Sequence, residues 1–281
     1  MRMVPSILRR KDSIPGCDYS GTVVDAGPLA PSNLAVGARV FGVLATASLF
    51  EGQGALCDYI CLSTKQHLIM PVPKDCTLED AGCLSIGGTM AYLICKNGGI
   101  KENCGLRILV NGASGGCGTI FVQVARAMGA KQIIATCSAP SFELVESLGA
   151  DKAIDYRDKK PLHGYLAKEF GDRKFDFVLD TVGAQELYEN SPGYLKEDGV
   201  YVNIGDFTNG MWLTAFHWFL NYFRPVWLGG TPRRFIMFGP SVDGEAGDWL
   251  TKLIAEGNVR AVIDRSVSFD EVLEVSLVLA I

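Results

Sequence analysis

Residues 107–130 read RILVNGASGGCGTIFVQVARAMGA. An apolar run ends in a glycine-rich turn and passes without a linker into apolar residues at helical spacing, so strand, turn and helix follow in that order. In that arrangement the helix begins just beyond the strand's carboxyl end, and its free N–H groups and positive dipole end attract phosphate. Read as G-x-G-x-x-G, the pattern carries Ala113 in the first glycine's place. Gly115 then lets the backbone approach a pyrophosphate, and Gly118 lets the helix pack on the sheet. Gly112 and Gly116 add slack, and Ser114 supplies a hydroxyl donor. A glycine motif alone is equally a tight structural turn, and it is the strand before and helix after that favour a dinucleotide site.

Working outward, strand-like and helix-like segments alternate from Arg107 to about Gly239. QIIATC (132–137), KAIDY (152–156), FDFVLDTV (175–182), GVYVNIG (199–205) and RRFIMFG (233–239) read as strands. Helices are expected over Gly116–Met128, Ser141–Leu148 and Leu162–Phe170. This alternation predicts an α/β fold, a doubly wound parallel sheet. Upstream, from Gly16 to Val72, the short runs YSGTVVDAG, GARVFGVL and ALCDYICLS, the last leading to LIMPVP, are punctuated by Gly and Pro and predict a small antiparallel β unit. LEDAGCLSIGGTMAYLICKNG (78–98) has helical spacing and an acidic first turn at Glu79 and Asp80, which sets a boundary just before it. Downstream, a helix is expected over Gly247–Glu256, leading into AVIDRSVSF (261–269) and another helix from near Asp270. The organisation is therefore 1–78, 79–259 and 260–281.

Composition narrows the function classes. The chain has 281 residues, 48% of them hydrophobic and 20% charged, enough to bury a substantial core. The formal net charge is −5 and the basic residues are scattered, which excludes a nucleic-acid footprint. Nine cysteines without paired short spacings read as reduced thiols and a cytoplasmic address, favoured over a mitochondrial one. Cys57, Cys61, Cys76 and Cys83 invite a zinc-knuckle reading but lack C-x-x-C pairs. The opening MRMVPSILRRK is basic yet has no apolar secretory core. Met211 to Phe223 is apolar and aromatic but too short for a transmembrane segment, which takes ~20 residues.

The choice of nicotinamide cofactor rests on the residues after QIIAT, where an acidic side chain would hold the ribose 2′-hydroxyl of NADH. Cys137 and Ser138 stand there, with no carboxylate until Glu143, so NADPH is favoured over NADH. No Arg or Lys sits at that strand end, which leaves phosphate selectivity to the hydroxyls of Ser138, Ser141 and Tyr156.

GCDYSGTVVDAG, GARVFG, ALCDYICL with PVPKD, NGASGGCG, LGADKAIDY and FVLDTVG occur in one order along most of the chain. In this the sequence resembles the medium-chain dehydrogenase/reductase superfamily, specifically its quinone oxidoreductase-like branch. The resemblance implies a Rossmann domain and a partial GroES-like β domain to which the chain returns at its end. It also implies cofactor contacts at Ser114, Gly116 and Cys117, a 2′-phosphate side at Ser138 and Tyr156, and a pocket lined by Val182 and Gly183. The branch's usual basic residue in the 2′-phosphate region falls near Ser141. Zinc-dependent members carry Gly-His-Glu where this chain has Gly16-Cys17-Asp18, and their further cysteine ligand falls within Ser85–Gly88, which has no thiol or imidazole; no zinc is expected, since a Lewis-acid zinc needs three protein donors.

The implied activity is hydride transfer from NADPH to a small electron-poor acceptor, an enone, a quinone or an enoyl thioester, by a homodimer. The branch's outermost strands find no counterpart at either end, so a dinucleotide-binding pseudoenzyme or interaction protein is the second reading, and a zinc alcohol dehydrogenase the third.

Other residues weigh less. His67, His163 and His217 lack ligand-spaced partners, so a catalytic role is the minority reading for each. Tyr92 and Lys96 match a Tyr-x-x-x-Lys pattern by chance, on the wrong side of the glycine turn. Tyr19, beside Asp18, is the one catalytic candidate, as a proton donor or carbonyl-orienting group, balanced against a buried structural pair. Trp212, Phe216, Trp218, Phe219, Tyr222, Phe223 and Trp227 form an aromatic cluster read as core packing, with a pocket roof, dimer face or membrane contact as alternatives.

Overall fold

The computed structural model describes residues 13–205, 211–239 and 243–272. Two sheets organise it. A small antiparallel sheet contains β1 (Asp18–Thr22), β2 (Arg39–Val43) and β3 (Leu68–Pro71) in that order. The larger sheet is parallel throughout and contains β4 (Arg107–Asn111), β5 (Gln132–Cys137), β6 (Lys152–Asp155), β7 (Phe175–Asp180), β8 (Leu195–Asn203) and β9 (Arg234–Met237). Its spatial order is β6-β5-β4-β7-β8-β9. This is the doubly wound order, whose direction reverses between β4 and β7, where a crevice opens beyond the strand ends.

The strands alternate strictly between two cores because side chains on a pleated strand point to opposite faces. Ile108, Val110, Ile133, Ala135, Phe177, Leu179, Val200 and Val202 pack into one core. Leu109, Ile134, Val178 and Tyr201 pack into the other. The first core is closed by α2 (Leu78–Gly98), α3 (Gly116–Ala127), α4 (Phe142–Ser147) and α8 (Gly244–Ala255). The second is closed by α5 (Leu162–Phe170), α6 (Gln185–Glu189) and, through Trp218, α7 (Met211–Phe223). A short helix, α1 (Thr46–Phe50), follows β2.

Helix α2 holds the two sheets together. It starts where the Thr77 hydroxyl accepts from the Asp80 amide (3.0 Å) and ends at Gly99 in the left-handed region (φ 77°). Buried residues surround it rather than marking one stripe, because it packs on β1 and β2 as well as on α3 and α8. Its glycines allow this: a side chain at Gly82 would meet Ser20, at Gly87 Ile120, and at Gly88 Leu250.

Several expectations need correction. Residues 261–268 form no regular element, and Ser266 donates to the Glu79 carboxylate. The helix expected near Asp270 is a single 3-10 turn, Phe269–Glu271, capped by Ser268 and Glu271; positions 273–281 lie outside the described residues. ALCDYICLS is irregular, with the Cys57 thiol turned to the Gly54 and Tyr59 carbonyls. Helix α8 begins three residues earlier than expected because Asp243 accepts from the Glu245 amide (3.0 Å).

The aromatic cluster is not core. Trp218 packs inward, while Phe216, Phe219, Tyr222, Phe223 and Trp227 are exposed, Trp227 by 82%. Among the described residues no helix is long and apolar enough to cross a membrane. The side chain of Trp212 and the opening segment MRMVPSILRRK lie outside the described residues.

Candidate functional site

The turn after β4 is folded as tightly as a backbone allows. Gly112 has φ 77°, and any side chain there would run into the Thr181 hydroxyl. Its amide donates to the Thr136 carbonyl (3.1 Å), and its carbonyl accepts from the Gly115 amide (3.1 Å). A side chain at Gly118 would strike the Gly112 carbonyl and the Ala113 backbone, so α3 starts directly against the turn. Its first internal bond runs from the Thr119 amide to the Gly115 carbonyl (2.9 Å), and no side chain caps it. The amides of Gly116, Cys117 and Gly118 thus have no partner within the helix and face beyond its start, the donor set an anion needs.

A cavity of about 900 Å³ opens there. Its wall follows the carboxyl ends of four neighbouring parallel strands: Asn111 and Gly112 after β4, Cys137 and Ser138 after β5, Tyr156 after β6, Thr181 and Val182 after β7. Of the residues expected from sequence, Ser114, Gly115, Ser138, Tyr156 and Val182 stand on this wall. Ala113 and Gly118 are buried beneath the turn, and Gly116 has open space where a side chain would project. The Cys117 thiol is half-buried, and burial, with the Asp18 carboxylate adding to it, pushes its pKa up.

One buried carboxylate shapes the β7 side. Asp180 Oδ1 accepts from Asn111 Nδ2 (2.8 Å) and from the amides of Val182 (3.0 Å) and Gly183 (2.9 Å). Oδ2 accepts from the Ala184 amide (2.9 Å) and the Tyr201 hydroxyl (2.7 Å). Burial first, then this carboxylate, pushes the Tyr201 phenol far up, so it stays a donor. Gly183 therefore contributes its amide to the turn that presents Val182. Asp180 stood in FVLDTVG without an assigned role; its partners lie as far away as Asn111 and cannot be read from local spacing.

Sequence reasoning also missed the loop after β6. Lys160, Pro161, Leu162 and His163 line the cavity, and His163 Nδ1 lies 3.8 Å from Glu186 Oε2, another wall residue. Arg157 Nε donates to the Tyr156 hydroxyl at 3.2 Å. The only available signal was the basic run YRDKK, which as a charge run reads as a solvated face.

Tyr19 is placed differently from these. Its hydroxyl crosses Gly42, where any side chain would obstruct it, and donates to the Leu68 carbonyl (2.7 Å). Burial pushes its phenol well above the usual range, and the hydroxyl ties β1 to β3. Beside it, Asp18 Oδ1 accepts from the Ile86 amide (2.9 Å), and burial pushes the carboxyl up to about 6. His67 is buried and its Nδ1 accepts from the Ala45 amide (3.1 Å), with burial lowering its pKa. Among the described residues no three His, Cys, Asp or Glu side chains gather as a metal site would require.

The geometry agrees with similarity to known proteins. A family model described as zinc-binding dehydrogenase matches residues 116–224. The chain is 31% identical over 296 residues to the medium chain reductase PydE of Acremonium sp., covering 98% of this chain and 80% of that protein. It is 34% identical over 260 residues to the trans-enoyl reductase PgmF of Aspergillus terreus, covering 90% and 69%. The crystal structure of Escherichia coli quinone oxidoreductase complexed with NADPH superposes with a TM-score of 0.68 at 23% identity, over 92% of this chain and 74% of that one. A parallel sheet of this order, its glycine turn and these relatives define an oxidoreductase. The chain belongs to the medium-chain dehydrogenase/reductase family, in its quinone oxidoreductase-like branch.

Proposed function

We propose that the chain binds NADPH in preference to NADH across the carboxyl ends of β4–β7 and reduces an activated carbon–carbon double bond or a quinone. The observation that carries this reading is the uncapped start of α3, set against a glycine turn and opening on a cavity of about 900 Å³ at the sheet's reversal point. When bound, the dinucleotide supplies hydride; the protein supplies binding, orientation and electrostatics. The amides of Gly116, Cys117 and Gly118 hold the pyrophosphate, with the Ser114 hydroxyl beside them. Val182, presented by the Asp180-capped turn, forms the apolar wall opposite. Ser138 and Tyr156 occupy the 2′ side.

Zinc-free transfer belongs to the same proposal, supported by the donor set: Cys17 is one thiol, its pKa raised by burial, and Ser85–Gly88 adds none. The acceptor class is supported by a relative named as a trans-enoyl reductase. A homodimer is supported by the exposed apolar face of α7, next to β9 at the sheet's open edge. A cytoplasmic address is supported by nine free thiols.

Stopped-flow loss of NADPH absorbance against a panel of enones, quinones and enoyl thioesters tests the activity. Turnover with at least one class is expected. Binding of NADPH without turnover across the panel would instead identify a dinucleotide-binding protein that has lost its chemistry.

A further inference from the structure

The glycine turn accounts for the pyrophosphate end of the cleft, while the end formed by β5 and β6 has hydroxyls at Ser138 and Tyr156 and still no assigned cation. Two cations gather there. Arg157 Nε donates to the Tyr156 hydroxyl at 3.2 Å, and its guanidinium carbon lies 5.6 Å from the centroid of the same ring. Lys160 stands on the cavity wall with Ser138 and Tyr156. Because the Tyr156 oxygen already accepts from Arg157, its own proton is left to donate elsewhere.

The nearest carboxylate does not compete for a ribose. Asp155 Oδ2 accepts from the Ala139 amide (3.0 Å) and Oδ1 from the Arg157 amide (2.7 Å). Both oxygens are committed to the backbone, and its charge lies beside a guanidinium. Glu186, the carboxylate that does line the cavity, sits by His163 at the start of α6. The surroundings of Ser138 and Tyr156 therefore offer hydroxyls and two cations, which suits a phosphate dianion, and no uncommitted carboxylate of the kind that would hold a bare 2′-hydroxyl.

We propose that Arg157 and Lys160 are specificity-determining residues that hold the 2′-phosphate of NADPH, Arg157 through its planar fork and Lys160 as a point charge. The cation thus comes from the loop after β6 rather than from the start of α4, where Ser141 stands. The inference rests on the dinucleotide reading above and sharpens it.

Titration calorimetry with NADPH, NADH and 2′,5′-ADP on wild type, Arg157→Lys and the double variant Arg157→Gln/Lys160→Gln tests it. Both side chains are exposed, so the variants should fold, and their circular dichroism and Tm would verify this. The double variant should lose at least about tenfold in affinity for NADPH and 2′,5′-ADP while NADH moves by less than about threefold, with Arg157→Lys between it and wild type. NADPH affinity within about twofold of wild type in a folded double variant would overturn the assignment. Wild type binding NADPH and NADH equally would do the same and leave the dinucleotide reading standing, whereas binding neither would overturn both.

Discussion

Two carboxylates show how one chemical group takes opposite parts. Asp180 organises donors: five hydrogen bonds converge on it, three of them from the backbone turn that shapes the cleft. Removing it strands those donors away from water, so Asp180→Ala should cost about 3 kcal/mol or more. Urea unfolding would measure this, and a loss below about 1 kcal/mol would show that the network rearranges without cost. Asp18 is partly buried with one amide for company, and burial pushes its carboxyl up to about 6. Against an unfolded value of about 3.9, the folded chain keeps a proton that the unfolded chain has released as pH rises from about 4 to 6. A raised acid pKa therefore costs nothing below that window and opposes folding above it. Stability should fall across the window by up to about 3 kcal/mol from this group, and Asp18→Asn should remove that component. Paired denaturation curves at pH 5 and pH 8 would check it: equal slopes with pH for the two proteins would refute the burial argument.

At the scale of elements, α7 stands out because apolar surface faces outward. Phe216, Phe219 and Phe223 are exposed by 56%, 60% and 70%. If the proposed homodimer forms through this face, Phe219→Glu/Phe223→Glu should yield a monomer with Tm changed by only a few degrees, as expected for surface positions. Sedimentation velocity would report it, and a wild-type chain that is already monomeric at working concentration would rule the dimer out. Elements defined by local pattern were legible in the sequence. RILVNGASGGCG and the helix after it announce themselves because strand alternation, turn glycines and helical spacing all act over a few residues. AVIDRSVSF is rich in β-branched residues, yet it meets no ladder partner among the described residues, and a strand exists only as a pair. The aromatic run was read as core because composition shows what is apolar without showing which side faces the protein. On the cavity wall, Ser114, Gly115, Ser138 and Tyr156 could be picked out from the glycine turn and the hydroxyls near the next strand ends, whereas Val182 came from the family resemblance. Lys160 and His163 could not be picked out, since it is the fold of the β6–α5 loop and the placing of the first turn of α5 that bring them to the wall.

Across the whole molecule, the parallel sheet supplies a cleft and the antiparallel sheet stands beside it, with α2 packed against both. That helix has neighbours on every side, and three of its glycines are sites where a methyl group would collide with Ser20, Ile120 or Leu250. Ser20 stands on β1, whereas Ile120 and Leu250 stand on α3 and α8, so these small residues let one helix lie flush against elements of both units, and a bulkier residue at any of the three would push the two units apart.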